Sequence, residues 1–182
     1  MHEWQNHKPE LNTNTASLYQ KFDILNKSDI LAQNNLSPLQ IQNLLKQEII
    51  NMQISNISFV PCPYIPHTWS EMNNFFQKYR RNKINFLRFI GYSYHDKCLS
   101  IGLDYDDIKK LKNGICPENH TVHIKKPFDF GGTSNFENLS LITTHPQHIQ
   151  LHSLIEFQIG CGFLQSHKTI YIPHFDGHFI HD

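Results

Sequence analysis

Two histidines four residues apart, in the stretch His148-Ile149-Gln150-Leu151-His152, are the side chains whose type and spacing speak most directly of chemistry. On a helix this spacing puts both imidazoles on one face, one turn apart, where their nitrogens can reach a single divalent cation. The pair alone is weak evidence, because a chain with thirteen histidines meets that spacing by chance. Nine of the thirteen lie from His120 onward, however, so the second half of the chain is where a histidine-based site belongs. Upstream of the pair stand Val122-His123-Ile124, then Pro127, Gly131-Gly132 and Asn138-Leu139. A strand delivering one histidine, a Gly-Gly turn, a second strand opening on Asn and a helix returning two more histidines make a ββα unit that closes on one metal.

Other candidate groups carry less. His174, His178 and His181 could form a second cluster or complete the first, although exposed histidines near a chain end are the commoner situation. His67, His95 and His167 receive no role. Cys161, between Gly160 and Gly162, reads as a packed thiol at a helix end, since no pairing motif accompanies it. Cys62, Cys98, Cys116 and Cys161 are widely spaced with no Cys-x-x-Cys pair, which excludes a zinc ribbon and a dithiol redox motif. A reduced, intracellular chain is the simplest expectation.

The elements that must position these residues follow from periodicity and caps. Ser37-Pro38-Leu39-Gln40 combines a capping box with proline at the first helical position, and Leu39, Ile41, Leu44, Leu45, Ile49 and Ile50 recur at helical spacing, predicting a helix to about Met52. Residues 1–16 read as a polar arm, with an earlier helix around Ala16–Leu25. Pro61, Pro63 and Pro66 mark Ser58–His67 as an extended connector, and the expected domain boundary falls there: 1–66 as an N-terminal arm and helical segment, 67–182 as the second domain, with a motif core at 114–160. Ser70–Arg81 reads as helical. Asp104 caps a helix through Lys112 that Gly114 closes. Strands are expected at Thr121–Lys126 and Leu139–Thr143 around a loop over Phe128–Glu137. A helix from Pro146 to Ile159, stopped by Gly160, comes next, and the tail Thr169–His181 reads as two short strands around Asp176-Gly177. The fold class is therefore α+β: a helical N-terminal part followed by a C-terminal ββα-metal domain.

Composition bounds the function. With 39% hydrophobic and 18% charged residues the chain reads as globular, and its formal charge of zero gives no overall basic field of the kind many nucleic-acid binders carry. The balance is uneven, with twelve Lys/Arg against ten Asp/Glu in residues 75–182 and four against six in 1–74. The run Phe75, Phe76, Lys78, Tyr79, Arg80, Arg81, Lys83, Phe86, Arg88 could grip a phosphate backbone, or it could be a solvated helix face over an aromatic core. Met1 through Gln20 lacks the apolar core of a signal peptide, and no stretch is long and apolar enough for a membrane span. The expected location is cytoplasmic as synthesised, with export, if any, through a machine that needs no cleaved signal.

The stretch Gly102–Gln158 resembles the HNH (ββα-metal, His-Me finger) nuclease superfamily, and especially its bacterial toxin branch, which includes the colicin-type DNases. The likeness rests on Gly114-Ile115-Cys116-Pro117, Val122-His123-Ile124-Lys125-Lys126-Pro127-Phe128-Asp129-Phe130-Gly131-Gly132-Thr133, Phe136-Glu137-Asn138-Leu139-Ser140-Leu141-Ile142 and Pro146-Gln147-His148-Ile149-Gln150-Leu151-His152. Residues 1–100 lie outside it. The resemblance implies His123, His148 and His152 as ligands of one divalent ion, Zn, Mg, Mn or Ni. It implies Asn138 as a brace between loop and strand that holds the orientation of the catalytic histidine, with His123 and Asn138 as the catalytic pair. It further implies hydrolysis of phosphodiester bonds in DNA, with RNA as the other candidate substrate, in a toxin or effector that an immunity or host-target protein could bind.

One departure bears on turnover. Family members carry His-His or Asp-His four and three residues before the proline, so counting back from Pro127 puts His123 on the ligand and Ile124 on the general base, which isoleucine cannot be. A one-residue slip could make His123 the base; His120 or His145 could supply it from another direction; or the domain is a catalytically degenerate scaffold that binds metal and a nucleic acid or protein partner.

Overall fold

A computed structural model describes residues 36–180 of the 182-residue chain. The expected arm over residues 1–16, the helix around Ala16–Leu25 and His181 lie outside the described residues. The architecture is α+β, with small antiparallel sheets among helices.

The first described helix, α1 (Pro38–Asn51), starts as its sequence requires: Gln40 N–H donates to Ser37 Oγ, the Gln40 side chain accepts from Ser37 N–H at 2.8 Å, and Pro38 occupies the first turn. Its buried stripe, Ile41, Leu45 and Ile49, packs with Leu154, Cys161, Phe163 and Tyr171 from the other end of the chain.

The expected connector is a strand. Ser58–Pro63 forms β1 and pairs antiparallel with β4 (Thr169–His174), from Ser58 opposite His174 to Pro63 opposite Thr169. A two-stranded sheet has only edge strands, so Pro61, Pro63 and Pro173 can sit where no ladder N–H is needed. The pairing couples residues on both sides of the expected boundary near residue 66, and the cluster around Ile41 does the same. Among the described residues the second tail strand is not formed: after β4 the chain turns through Gly177, at φ 71°, and His178 bonds the edge of the next sheet instead.

The helix expected at Ser70–Arg81 is longer, running as α2 from Trp69 to Ser93. Thr68 and Glu71 form a capping box at its start, and Phe75, Phe86, Leu87, Ile90 and Gly91 keep one face buried to its end. The short α3 (His95–Ser100) and then α4 (Tyr105–Lys112) follow, the latter capped by Asp104, whose carboxylate accepts the Asp107 N–H at 2.8 Å. Gly114 follows it at φ 76°, in the left-handed conformation expected of a helix stop.

Strands β2 (His120–Ile124) and β3 (Leu139–Thr143) form the second sheet, with His123 opposite Ser140 and Ile124 opposite Leu139. Alternation along the strands gives this sheet two different faces. Val122, Leu139 and Leu141 join a core with Phe86, Leu87 and Ile90 of α2 and Ile108 and Leu111 of α4. The opposite face carries His123, Ser140 and Ile142, and Ile142 packs with Leu151 of α5 (Ile149–Gly160).

Two devices hold α5 and the tail in place. The fully buried Gln158 amide donates to Tyr171 O and accepts from Tyr171 N, at 2.9 and 2.7 Å, so one side chain completes the backbone pairing of β4. Leu141 N–H donates to His178 O at 2.8 Å, closing the free edge of β3. Gly160 is the last residue of α5 rather than its stop; the left-handed residue is Gly162, ahead of α6 (Phe163–His167).

Candidate metal centre

Strand alternation decides which side chains of β2 can meet α5. His123 projects from the face opposite Val122 and is almost fully buried, while α5 brings His152 against it from one turn along and His148 from its N-terminal boundary. The three rings stand nearly edge to face, with centroids 5.6 Å apart for His123 and His148, 5.4 Å for His123 and His152, and 4.3 Å for His148 and His152. One ring nitrogen from each lies within 4.8 Å of the others. His123 is buried, whereas His148 and His152 are half-buried, so the group is closed on its strand side and accessible from the helix side.

The chemistry of this donor set fits a cation. Burial, the repulsive fields of protonated His152 and His148, and the Lys125 ammonium hold the His123 imidazole well below its ordinary range. Burial and then His148 hold His152 down, to about 4, and burial and then His145 lower His148. All three rings are therefore neutral near pH 7 and offer lone pairs. A like-charged trio would be costly without an ion; a neutral trio is ready for one. The residues that could hold a metal ion are thus His123, His148 and His152, the three expected from the sequence.

Asn138 lies apart from the rings. Its Nδ2 donates to Lys126 O at 2.8 Å and to Thr133 O at 2.7 Å, and its Oδ1 accepts from Lys126 N–H at 2.9 Å. It pins the chain directly after β2 to the loop that leads into β3, as a brace. Gly131, at φ 85°, and Gly132 let that loop turn; a Cβ on Gly132 would stand 1.6 Å from Lys126 O, so no other residue fits.

The remaining expectations separate cleanly. Ile124 packs against the apolar core around Phe86, on the face of β2 turned from the three rings. His120 bonds the Glu118 carbonyl through Nδ1 at 3.1 Å and lies on the same side as Ile124 by alternation. His145 is exposed, close enough to His148 for its charge to be felt there. His174 pairs loosely with Asp176 at 3.7 Å, while His178 is wedged among Phe86, Phe89 and Tyr94 and bonded to Leu139 O, so these two form no second cluster. Cys161 is buried, and burial raises its thiol pKa, as a packed side chain requires. In the basic run, Lys78, Arg80, Arg81 and Arg88 are exposed while Phe75 and Phe86 are buried, so the charged side chains of this helix face solvent over an aromatic core.

Two residues of this neighbourhood were not singled out by sequence reasoning. Lys125 shares a strand face with His123, is itself buried, and donates from Nζ to Gly177 O at 3.1 Å and Phe175 O at 3.4 Å. Period-two counting from His123 would have found it. Ser140, opposite His123, could be found only once the strand register was known.

No family model matches the chain, and no solved structure matches it. Among curated proteins it is similar to the uncharacterized protein YhhZ of Escherichia coli (strain K12), 35% identical over 65 residues. That match covers 36% of this chain and 16% of YhhZ, so the similarity is to a small part of a longer protein. Among the described residues no helix is long and apolar enough to cross a membrane.

Proposed function

We propose that this chain is a metal-dependent endonuclease of the HNH type that hydrolyses phosphodiester bonds in DNA, acting as a bacterial toxin or effector. The observation that carries the reading is the convergence of His123, His148 and His152 on one point from a strand and the following helix, with Asn138 bracing the loop between the strands. His123, His148 and His152 would hold the ion. Bound there, a divalent cation would polarise a scissile phosphate and stabilise charge developing on the 3′ oxygen. The chain's own part is to keep three imidazoles neutral and aimed, to exclude water on the strand side, and to leave the helix side open for a phosphate. With Ile124 unable to accept a proton, the base in this reading would be His145, which is exposed and near enough to His148 to affect its charge. Nicking of supercoiled plasmid in Mg²⁺, Mn²⁺, Ni²⁺ or Zn²⁺ tests this. The wild type should cleave with at least one of them and His148→Ala should not; no cleavage with any metal would sink the proposal.

A second reading is favoured by one observation, the packing of half-buried Ile124 against the apolar core where the family places a base. The domain would then be a degenerate scaffold that keeps its metal and binds a nucleic acid or protein. It requires stoichiometric metal without turnover, and cleavage by the unmodified chain eliminates it.

A further inference from the structure

Among the described residues, two buried side-chain oxygens have no hydrogen-bond partner: Ser140 Oγ and Thr143 Oγ1. Native structures pair nearly all such groups, so each one asks what would satisfy it. Thr143 ends its strand opposite His120, away from the three rings. Ser140 is different. It is completely buried and lies directly opposite His123 across the β2–β3 ladder, on the same face, where opposed Cβ atoms stand roughly 5 Å apart.

A neutral histidine that gives one ring nitrogen to a metal carries its proton on the other, and in a site stripped of water that N–H needs a protein acceptor. An acceptor of this kind fixes the tautomer and the ring orientation and raises the basicity of the ligating nitrogen. His123 is the most buried of the three ligand candidates, and the unspent hydroxyl stands beside it.

We propose that Ser140 is a positioning residue for the metal centre, its hydroxyl accepting the free ring N–H of His123 when a divalent ion is bound. This rests on the metal-binding reading of the three histidines. The hydroxyl thereby has a partner in the loaded protein that the metal-free protein does not give it. Removing it should weaken metal binding without weakening the metal-free fold, a combination that a merely structural serine would not produce.

The test uses the full chain, with Zn²⁺ and Ni²⁺ affinities measured by competition against a chromogenic chelator and metal-free melting followed by circular dichroism. Ser140→Ala should bind about 10 to 100-fold more weakly, the range typical of lost outer partners, and its metal-free form should melt at or above the wild-type temperature. Ser140→Thr, which keeps the hydroxyl, should retain affinity close to wild type. Wild-type affinity in Ser140→Ala, or a metal-free form that melts well below wild type, overturns the role of Ser140 alone. A wild-type chain that binds neither ion overturns the metal centre itself, and this proposal with it.

Discussion

The described residues form two small antiparallel sheets whose contacts come from opposite sources. In β2–β3 the strands are consecutive in the chain, joined through residues 125–138, one face is sealed by α2 and α4, and the other face carries polar groups toward α5. In β1–β4 the partners come from distant parts of the chain, three prolines lie within the strands, and Cys62, Ile170 and Ile172 pack with Phe130 and Ile155 in an apolar cluster. The first sheet has buried polar side chains, His123, Lys125 and Ser140, at or beside its ladder, and Ser140 Oγ has no partner; the buried Gln158 beside the second is paired on both its amide atoms with Tyr171. Burying polar groups costs stability unless they find partners, so the first sheet carries a cost that a ligand can offset. The second serves as a clamp, holding α5 through Gln158 so that its histidines meet the strand.

Substitutions can break that division of labour, and the largest effect is expected in the loop of the site sheet. Gly132→Ala forces a Cβ into the Lys126 carbonyl, so it should destabilise the fold by more than about 4 kcal/mol or abolish it, read from urea unfolding. In the clamp, Ile170→Ala removes a fully buried side chain and should cost about 2 to 5 kcal/mol while leaving the affinity for Zn²⁺ near wild type. A large loss of metal affinity there would mean that the two sheets are not separable. Asn138→Ala strands the Lys126 N–H and carbonyl and should cost about 2 kcal/mol by the same unfolding measurement.

The smallest effect is one of pH. In the metal-free protein His123, His148 and His152 have pKa values below those of an unfolded chain, so below about pH 6.5 the unfolded state binds more protons and stability falls. The loss should continue to about pH 4, where His152 titrates in the fold, and melting curves should show it. Replacing His152 with Gln should flatten part of that slope. An unchanged slope would place the acid sensitivity elsewhere.

The same two sheets mark how much could be read in advance. The site sheet and its helix were legible because their signals are local: alternation around His123, glycines at the turn, Asn138 at the strand start and two histidines one turn apart. All three ligand candidates and the bounds of β3 follow from such short-range patterns. The clamp was legible only in part: a strand was expected from Thr169, where β4 forms, but its partner was not. Pro61 and Pro63 argue against a strand, and nothing local reveals that Ser58–Pro63 will find Thr169–His174 far along the chain. The extra length of α2 was missed for a related reason: its last turns are held by burial of Phe86, Leu87 and Ile90, a tertiary effect. Ser140 needed the register, which depends on the loop geometry that Asn138 fixes.

The central claim is that strand and helix converge to make one metal-binding centre. Equilibrium binding of Zn²⁺ to the full chain, with metal content measured on the purified protein, tests it most directly. One ion per chain is expected in the wild type, with an affinity lowered by more than about 100-fold, beyond the usual effect of an outer partner, when any one of His123, His148 and His152 is replaced with Ala. Binding that survives in His123→Ala as in the wild type, or a wild-type chain that takes up no divalent ion, would contradict it.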